Sequence, residues 1–238
     1  MAKHNDYIFS NDGGRFRFLR RFDEMYQNCE DPHGQSKELQ RTDYHLVATM
    51  LSRVMCSLQD SAKPARILDV GCGLGFFTSH IKKLFSAADV SGCDISETAV
   101  AKAMARVPQC KFFTADIKDG ASLPRCTYDV LVALDVLYYF TDEEITNVLH
   151  NLHRLLENGG FLLVGYHLPK EMNFGRYIQS LEDARVLLES KGFSFRLTLD
   201  VINDLDKTYV GDPVGRHIYF LAQRSPPRLG GVHPWQTS

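Results

Sequence analysis

From Ala65 onward, short apolar runs rich in Val, Ile and Leu alternate with stretches whose apolar residues recur at helical spacing. That alternation predicts a parallel sheet flanked by helices. Seven runs read as strands: Ala65–Val70, Ala88–Ile95, Cys110–Asp116, Tyr128–Asp135, Gly159–Tyr166, Phe193–Val201 and His217–Arg224. Between them Gly75–Phe85, Ser96–Val107, Glu143–Glu157 and Ser180–Gly192 carry the helical period, the last closed by Gly192 as a stop signal. The expected fold is α/β, a doubly wound, seven-stranded, mostly parallel sheet with helices on both faces.

Residues 1–60 are polar and aromatic and read as a helical extension. Phe16, Leu19, Phe22 and Tyr26 share one helical face and Tyr44, Val47, Leu51 and Val54 another, with Pro32 and Gly34 interrupting between them. The run FRFLRRF reads as part of the first helix, with a solvated basic face. Residues 61–224 form the α/β domain, and 225–238, rich in Pro and Gly around the single Trp235, read as an irregular tail.

Composition narrows the partners. Among 238 residues, 27 basic side chains nearly balance 29 acidic ones, so no overall field draws the chain to nucleic acid or an anionic membrane. A small-molecule partner fits better. The six cysteines occur singly, without a C-x-x-C pair, and read as reduced, mostly buried thiols with no metal role. His150 and His153, three apart on one helix, have no evident carboxylate partner for a metal. No apolar stretch suits a signal peptide or a membrane span, so the cytoplasm is the default location.

The chemistry concentrates where the first strand ends. Asp69-Val70-Gly71-Cys72-Gly73-Leu74-Gly75 must turn sharply into a helix while letting a ligand approach the backbone, which glycine permits. Such a turn at the carboxyl edge of a parallel sheet offers amides to an anionic group. A dinucleotide pyrophosphate would be repelled by Asp69, and its fingerprint is G-x-G-x-x-G rather than this G-C-G-x-G. A ligand carrying an amino group and a carboxylate, such as the methionine end of S-adenosylmethionine, suits the loop better. Asp94, nineteen residues beyond Gly75, ends the second strand and can accept two ribose hydroxyls. Asp116 ends the third and can accept from an adenine amine, with Ile95 and Ile117 on the ring faces. Each aspartate alone could instead be a solvated strand end or a helix cap.

In this order the motifs resemble those of class I S-adenosylmethionine-dependent methyltransferases over residues 64–165. The resemblance implies a last strand that runs antiparallel, made by a hairpin of the final two strands. It also implies S-adenosylmethionine as cofactor, S-adenosylhomocysteine as product, and Asp69, Gly71, Cys72, Gly73, Gly75, Asp94, Ile95, Asp116, Ile117 and Leu134 around them. Tyr26, Arg41 and Tyr44 of the extension could contact the methionine portion or extend the core.

Methyl transfer from a sulfonium is an in-line displacement, so the protein mainly aligns a nucleophile and removes a proton. Asp135, Tyr138 and Tyr139, at the fourth strand end, stand where many relatives carry an acid followed by a Glu-His pair. The tyrosines replace that pair. His167, at the fifth strand end, is the best-placed residue to take a proton near neutral pH, and Arg176 and Tyr177 lie where such enzymes build specificity. Val136-Leu137-Tyr138-Tyr139 with Asp31-Pro32 is similar to the nodulation-type N-methyltransferases, although His33 stands where they carry Trp. The expected acceptor is a small-molecule amine or hydroxyl. Two alternatives stay open: a nicotinamide-dependent oxidoreductase and a non-catalytic S-adenosylmethionine-binding protein.

Overall fold

The structure, a computed structural model, describes residues 5–12, 15–38, 42–58, 63–168, 177–202 and 216–226. The chain opens with α1 (Asn5–Ile8) and a hairpin of β1 (Phe9–Asp12) and β2 (Arg15–Phe18), then runs through α2 (Phe22–Asn28), α3 (Gln35–Glu38) and α4 (Thr42–Ser57). The α/β part follows as β3 (Arg66–Val70), α5 (Phe76–Leu84), β4 (Asp89–Asp94), α6 (Glu97–Arg106), β5 (Lys111–Thr114) and β6 (Tyr128–Leu134). A 3-10 turn at Leu137–Tyr139 leads to α7 (Asp142–Leu155), β7 (Leu156–Leu168), α8 (Leu181–Ser190), β8 (Phe193–Ile202) and β9 (Arg216–Arg224).

Local signals set the boundaries. Ser96 caps α6 by accepting from the Ala99 amide, Ser180 caps α8 by accepting from Asp183, and Thr141 with Glu144 forms a reciprocal capping box on α7. Gly192, at φ 78°, closes α8 in a left-handed conformation. β7 starts three residues before the expected Gly159, directly where α7 ends, because Leu156 already pairs with Tyr128.

The seven strands lie in the order β5-β4-β3-β6-β7-β9-β8, and β9 is antiparallel to both its neighbours. Alternate residues feed two cores, as a sheet covered on both faces requires. Leu68, Leu131, Leu162 and Phe220 join the core under α7 and α8; Ile67, Val130, Leu163 and Leu221 join that under α4, α5 and α6. The order reverses between β3 and β6, and a crevice opens beyond the carboxyl ends of strands at such a point.

Two expectations are corrected. The run FRFLRRF is no helix: Arg15–Phe18 pairs with Phe9–Asp12, and Arg20, at φ 52°, turns the chain before α2 begins. The thiols are not mostly buried either: Cys72, Cys93 and Cys110 are, but Cys29 is half-buried and Cys56 and Cys126 are exposed. Arg41, Arg176 and Trp235 lie outside the described residues. His153 packs edge-on against Phe193, 5.3 Å between ring centres, and among the described residues no cluster of His, Cys, Asp and Glu could hold a metal. Among them too, no helix is long and apolar enough to cross a membrane.

Candidate active site

A cavity of about 420 Å³ sits at the switch point. One wall comes from the sheet edge, with Gly71, Asp94, Ile95, Asp116, Ile117 and Leu134; the other comes from the N-terminal segment, with Phe22, Tyr26, Gln35 and Tyr44. Asp135, Tyr138, Tyr139 and His167 line the same space. Most of the described candidates are thereby brought together, while Asp69, Cys72, Gly73 and Gly75 lie outside this cavity. Asp69 and Cys72 instead border a smaller space of about 30 Å³ beside it, together with Gln35 and Tyr44.

Gly73 and Gly75 line neither space. A Cβ on Gly73 would come within 2.7 Å of both Gln35 and Tyr26, and one on Gly75 would meet Ala103 at 3.0 Å and Phe112 at 3.2 Å. Both have positive φ, 51° and 76°, so glycine serves here the turn and the packing above it. The loop amides are not presented to an anion. Gly71 and Cys72 N–H donate to the Cys93 carbonyl, Gly73 N–H to Asp94, Leu74 N–H to Gln35 Oε1 and Gly75 N–H to the Cys72 carbonyl. All five donors are engaged within the protein, which leaves this turn without the amide seat a pyrophosphate needs.

The acids are held differently from one another. Asp69 is fully buried, accepting from the Thr78 hydroxyl at 2.6 Å; burial lifts its carboxyl to about 7, and Asp94 adds to the rise against the bonds from Thr78. Burial also raises Asp94, although the amides of Ser96, Gly73 and Ile95 oppose it. Asp94 accepts from Gly73 and Ser96 N–H at 2.9 Å each, one per oxygen. Asp116 accepts from the Lys118 amide at 2.9 Å and is only half-buried.

Asp135 stands apart. It follows β6 at φ 54°, a left-handed conformation that Asp tolerates at a cost, and its Oδ1 is buried without a hydrogen-bond partner. A buried, unsatisfied carboxylate oxygen lining a cavity awaits a donor. Beyond it the rings of Tyr138 and Tyr139 lie 4.5 Å apart, and Phe22 meets Tyr139 edge-on at 5.2 Å.

Sequence reasoning missed several wall residues. His217 stacks on His167 at 4.4 Å, because the antiparallel register sets the two directly opposite. Only that register, had it been drawn, could have paired them. Gln35, Arg20 and Lys118 also line the cavity, and no motif singles them out.

Residues 67–160 match the family of methyltransferase domains. Malonyl-[acyl-carrier protein] O-methyltransferase of Bacillus anthracis is 34% identical over 100 residues, covering 41% of this chain and 36% of its own length. The N-methyltransferase NodS of Bradyrhizobium japonicum, solved with S-adenosylhomocysteine, superimposes with a TM-score of 0.62 at 18% identity over 87% of this chain and 98% of its own. Magnesium protoporphyrin IX methyltransferase from Synechocystis, solved with S-adenosylmethionine, gives 0.59 at 22% identity over 94% and 98%. The chain spans between about a third and half of the length of the curated relatives it matches first. Fold, motif order and family match point the same way: residues 67–160 match a methyltransferase domain, set in a sheet of the class I, S-adenosylmethionine-dependent kind.

Proposed function

We propose that the chain binds S-adenosylmethionine in the larger cavity and transfers its methyl group to a nitrogen or oxygen of a small molecule, releasing S-adenosylhomocysteine. The unpartnered Oδ1 of Asp135 carries the reading, since it calls for an N–H or O–H donor at the place where the cavity leaves the glycine loop. Charge supports it. Asp31, Asp94, Asp116 and Asp135 line the cavity against Arg20 and Lys118, and both cations are paired with Glu144. That excess of negative charge suits a sulfonium.

In this reading Asp94 accepts the ribose hydroxyls, Asp116 the adenine amine, and Ile95 and Ile117 cover the ring. Leu134 and Gly71 border the sulfur, while Tyr26, Gln35 and Tyr44 face the methionine portion and Asp69 acts from the adjoining small space. The bound cofactor supplies an already activated methyl group. Asp135 orients the acceptor through its free oxygen, Tyr138 and Tyr139 enclose it, and His167 takes its proton. The relatives and neighbours act, by their names, on malonyl-[acyl-carrier protein], on magnesium protoporphyrin IX and on an unstated nitrogen, so the acceptor is sought experimentally.

The test has two steps. Calorimetry of cofactor-free protein should give micromolar binding of S-adenosylhomocysteine; folded protein that binds none ends the reading. A screen of amines, sugars and phenols, read by S-adenosylhomocysteine release, should then find an acceptor whose methylation is lost in Asp135→Ala. Methylation that persists there removes Asp135 from the acceptor site.

A further inference from the structure

One carboxylate outside the cavity is shared by three parts of its wall. Glu144, at the start of α7, accepts from Arg20 Nη1 at 2.7 Å and Nη2 at 2.5 Å, from Lys118 Nζ at 3.1 Å and from the Thr141 amide at 3.0 Å. Arg20 belongs to the N-terminal segment, where its Nη2 also donates to the Tyr139 carbonyl at 3.2 Å. Lys118 follows Asp116, whose Oδ1 holds the Lys118 amide and whose Oδ2 lies 3.9 Å from Nζ. Glu144 therefore ties the segment to the turn that carries the tyrosines and to the loop that carries Asp116.

Helix capping alone does not require this. A capping box is complete with Thr141 and a Glu or Gln side chain, yet Glu144 draws in two cations besides. Arg20 reaches it from a backbone at φ 52°, a left-handed conformation that a residue with a side chain adopts only at a cost, so the clamp holds strain in place. The segment is fastened a second time on the ribose side. Asp23 Oδ1 accepts from the Ser96 hydroxyl at 2.7 Å and the Thr98 amide at 2.8 Å, two and four residues beyond Asp94, and Lys102 Nζ donates to the Tyr26 carbonyl at 2.5 Å. Phe22, between the two fastenings, and Tyr26, within the second, line the cavity.

We infer that Glu144 is a positioning residue for the cofactor: acting through Arg20 and Lys118, it sets the closed position of the N-terminal segment and the position of Asp116 together. The inference rests on the proposed cofactor site. Burial opposes ionisation of Glu144, but hydrogen bonds from Arg20, the Thr141 amide and Lys118 outweigh it and bring the carboxyl to about 2. The lock is thus kept throughout neutral and mildly acidic pH.

Glu144→Gln tests this in the full chain, because Gln preserves the capping box and removes the charge that holds both cations. Expected are faster amide hydrogen exchange across residues 15–29, above any change in the rest of the chain, and S-adenosylhomocysteine dissociation faster by about tenfold, as for the loss of a charged hydrogen-bonded pair, together with a lower thermal midpoint, because the carboxylate stabilised by Arg20 and Lys118 is gone. Arg20→Gln should act alike, and the double variant should be no worse than either alone. Unchanged exchange and dissociation in Glu144→Gln, or effects that add in the double variant, overturn the inference. If Glu144→Gln does not fold, Arg20→Gln and Lys118→Gln decide by the same two measurements. Should wild-type protein bind no S-adenosylhomocysteine while exchange still rises in Glu144→Gln, the cofactor reading fails and the link between Glu144 and the segment stands.

Discussion

The acidic residues at the strand ends look alike in the sequence but behave differently once folded. Asp69 was legible as the acid before the glycines; its burial and its Thr78 partner were not, because they depend on how α5 returns over the loop. With a folded-state carboxyl raised to about 7, the native protein binds a proton between roughly pH 4 and 7 that the unfolded chain has released. Ionising Asp69 therefore costs stability, and the cost is complete above about pH 7 and absent below the ordinary Asp range. Asp69→Asn keeps an acceptor for the Thr78 hydroxyl and removes the cost. Urea unfolding of both proteins at pH 5.0 and 7.5 should show the variant gaining on wild type at the higher pH. A difference independent of pH would mean that Asp69 ionises in the folded protein as readily as in the unfolded chain.

At the scale of elements, the seven strands and four following helices were legible because the α/β part changes period sharply from one element to the next. The N-terminal segment was not. Phe16, Leu19, Phe22 and Tyr26 satisfy a helical period, yet Phe16-Arg17-Phe18 also alternates as a strand does, and only pairing with Phe9–Asp12 decides between them. The glycine loop shows the same limit, since its spacing does not reveal which glycine faces a ligand and which faces the protein. Gly75, at φ 76° and against Ala103 and Phe112, belongs to the packing of α6 and β5 on the loop. Gly75→Ala should thus lower the unfolding free energy by about 1–3 kcal/mol through backbone strain and crowding, a larger effect than on S-adenosylhomocysteine affinity. Affinity that collapses while the urea midpoint holds would return Gly75 to the ligand.

Across the whole molecule, the sheet order divides the cavity into two ends. β3, β4 and β5 carry Asp94 and Asp116 on one side of the switch point; β6, β7 and β9 carry Asp135, His167 and His217 on the other. The first end was legible from spacing along a single stretch of chain. The second was only half legible, because His217 reaches His167 through a strand pair separated by α8 and β8. If the first end holds the cofactor and the second the acceptor, substitutions should separate by readout. Asp94→Ala should weaken S-adenosylhomocysteine roughly 10–100-fold, as expected when a charged acceptor of two hydroxyls is removed. Asp135→Asn, isosteric but uncharged, should leave that affinity near wild type and lower the rate of methyl transfer. Because the two residues serve different ligands, the double variant should bind S-adenosylhomocysteine as Asp94→Ala does. A large affinity loss in Asp135→Asn, not additive with that of Asp94→Ala, would instead assign the free oxygen of Asp135 to the cofactor itself, and the acceptor's donor would then have to be sought at Tyr138, Tyr139 and the stacked histidines.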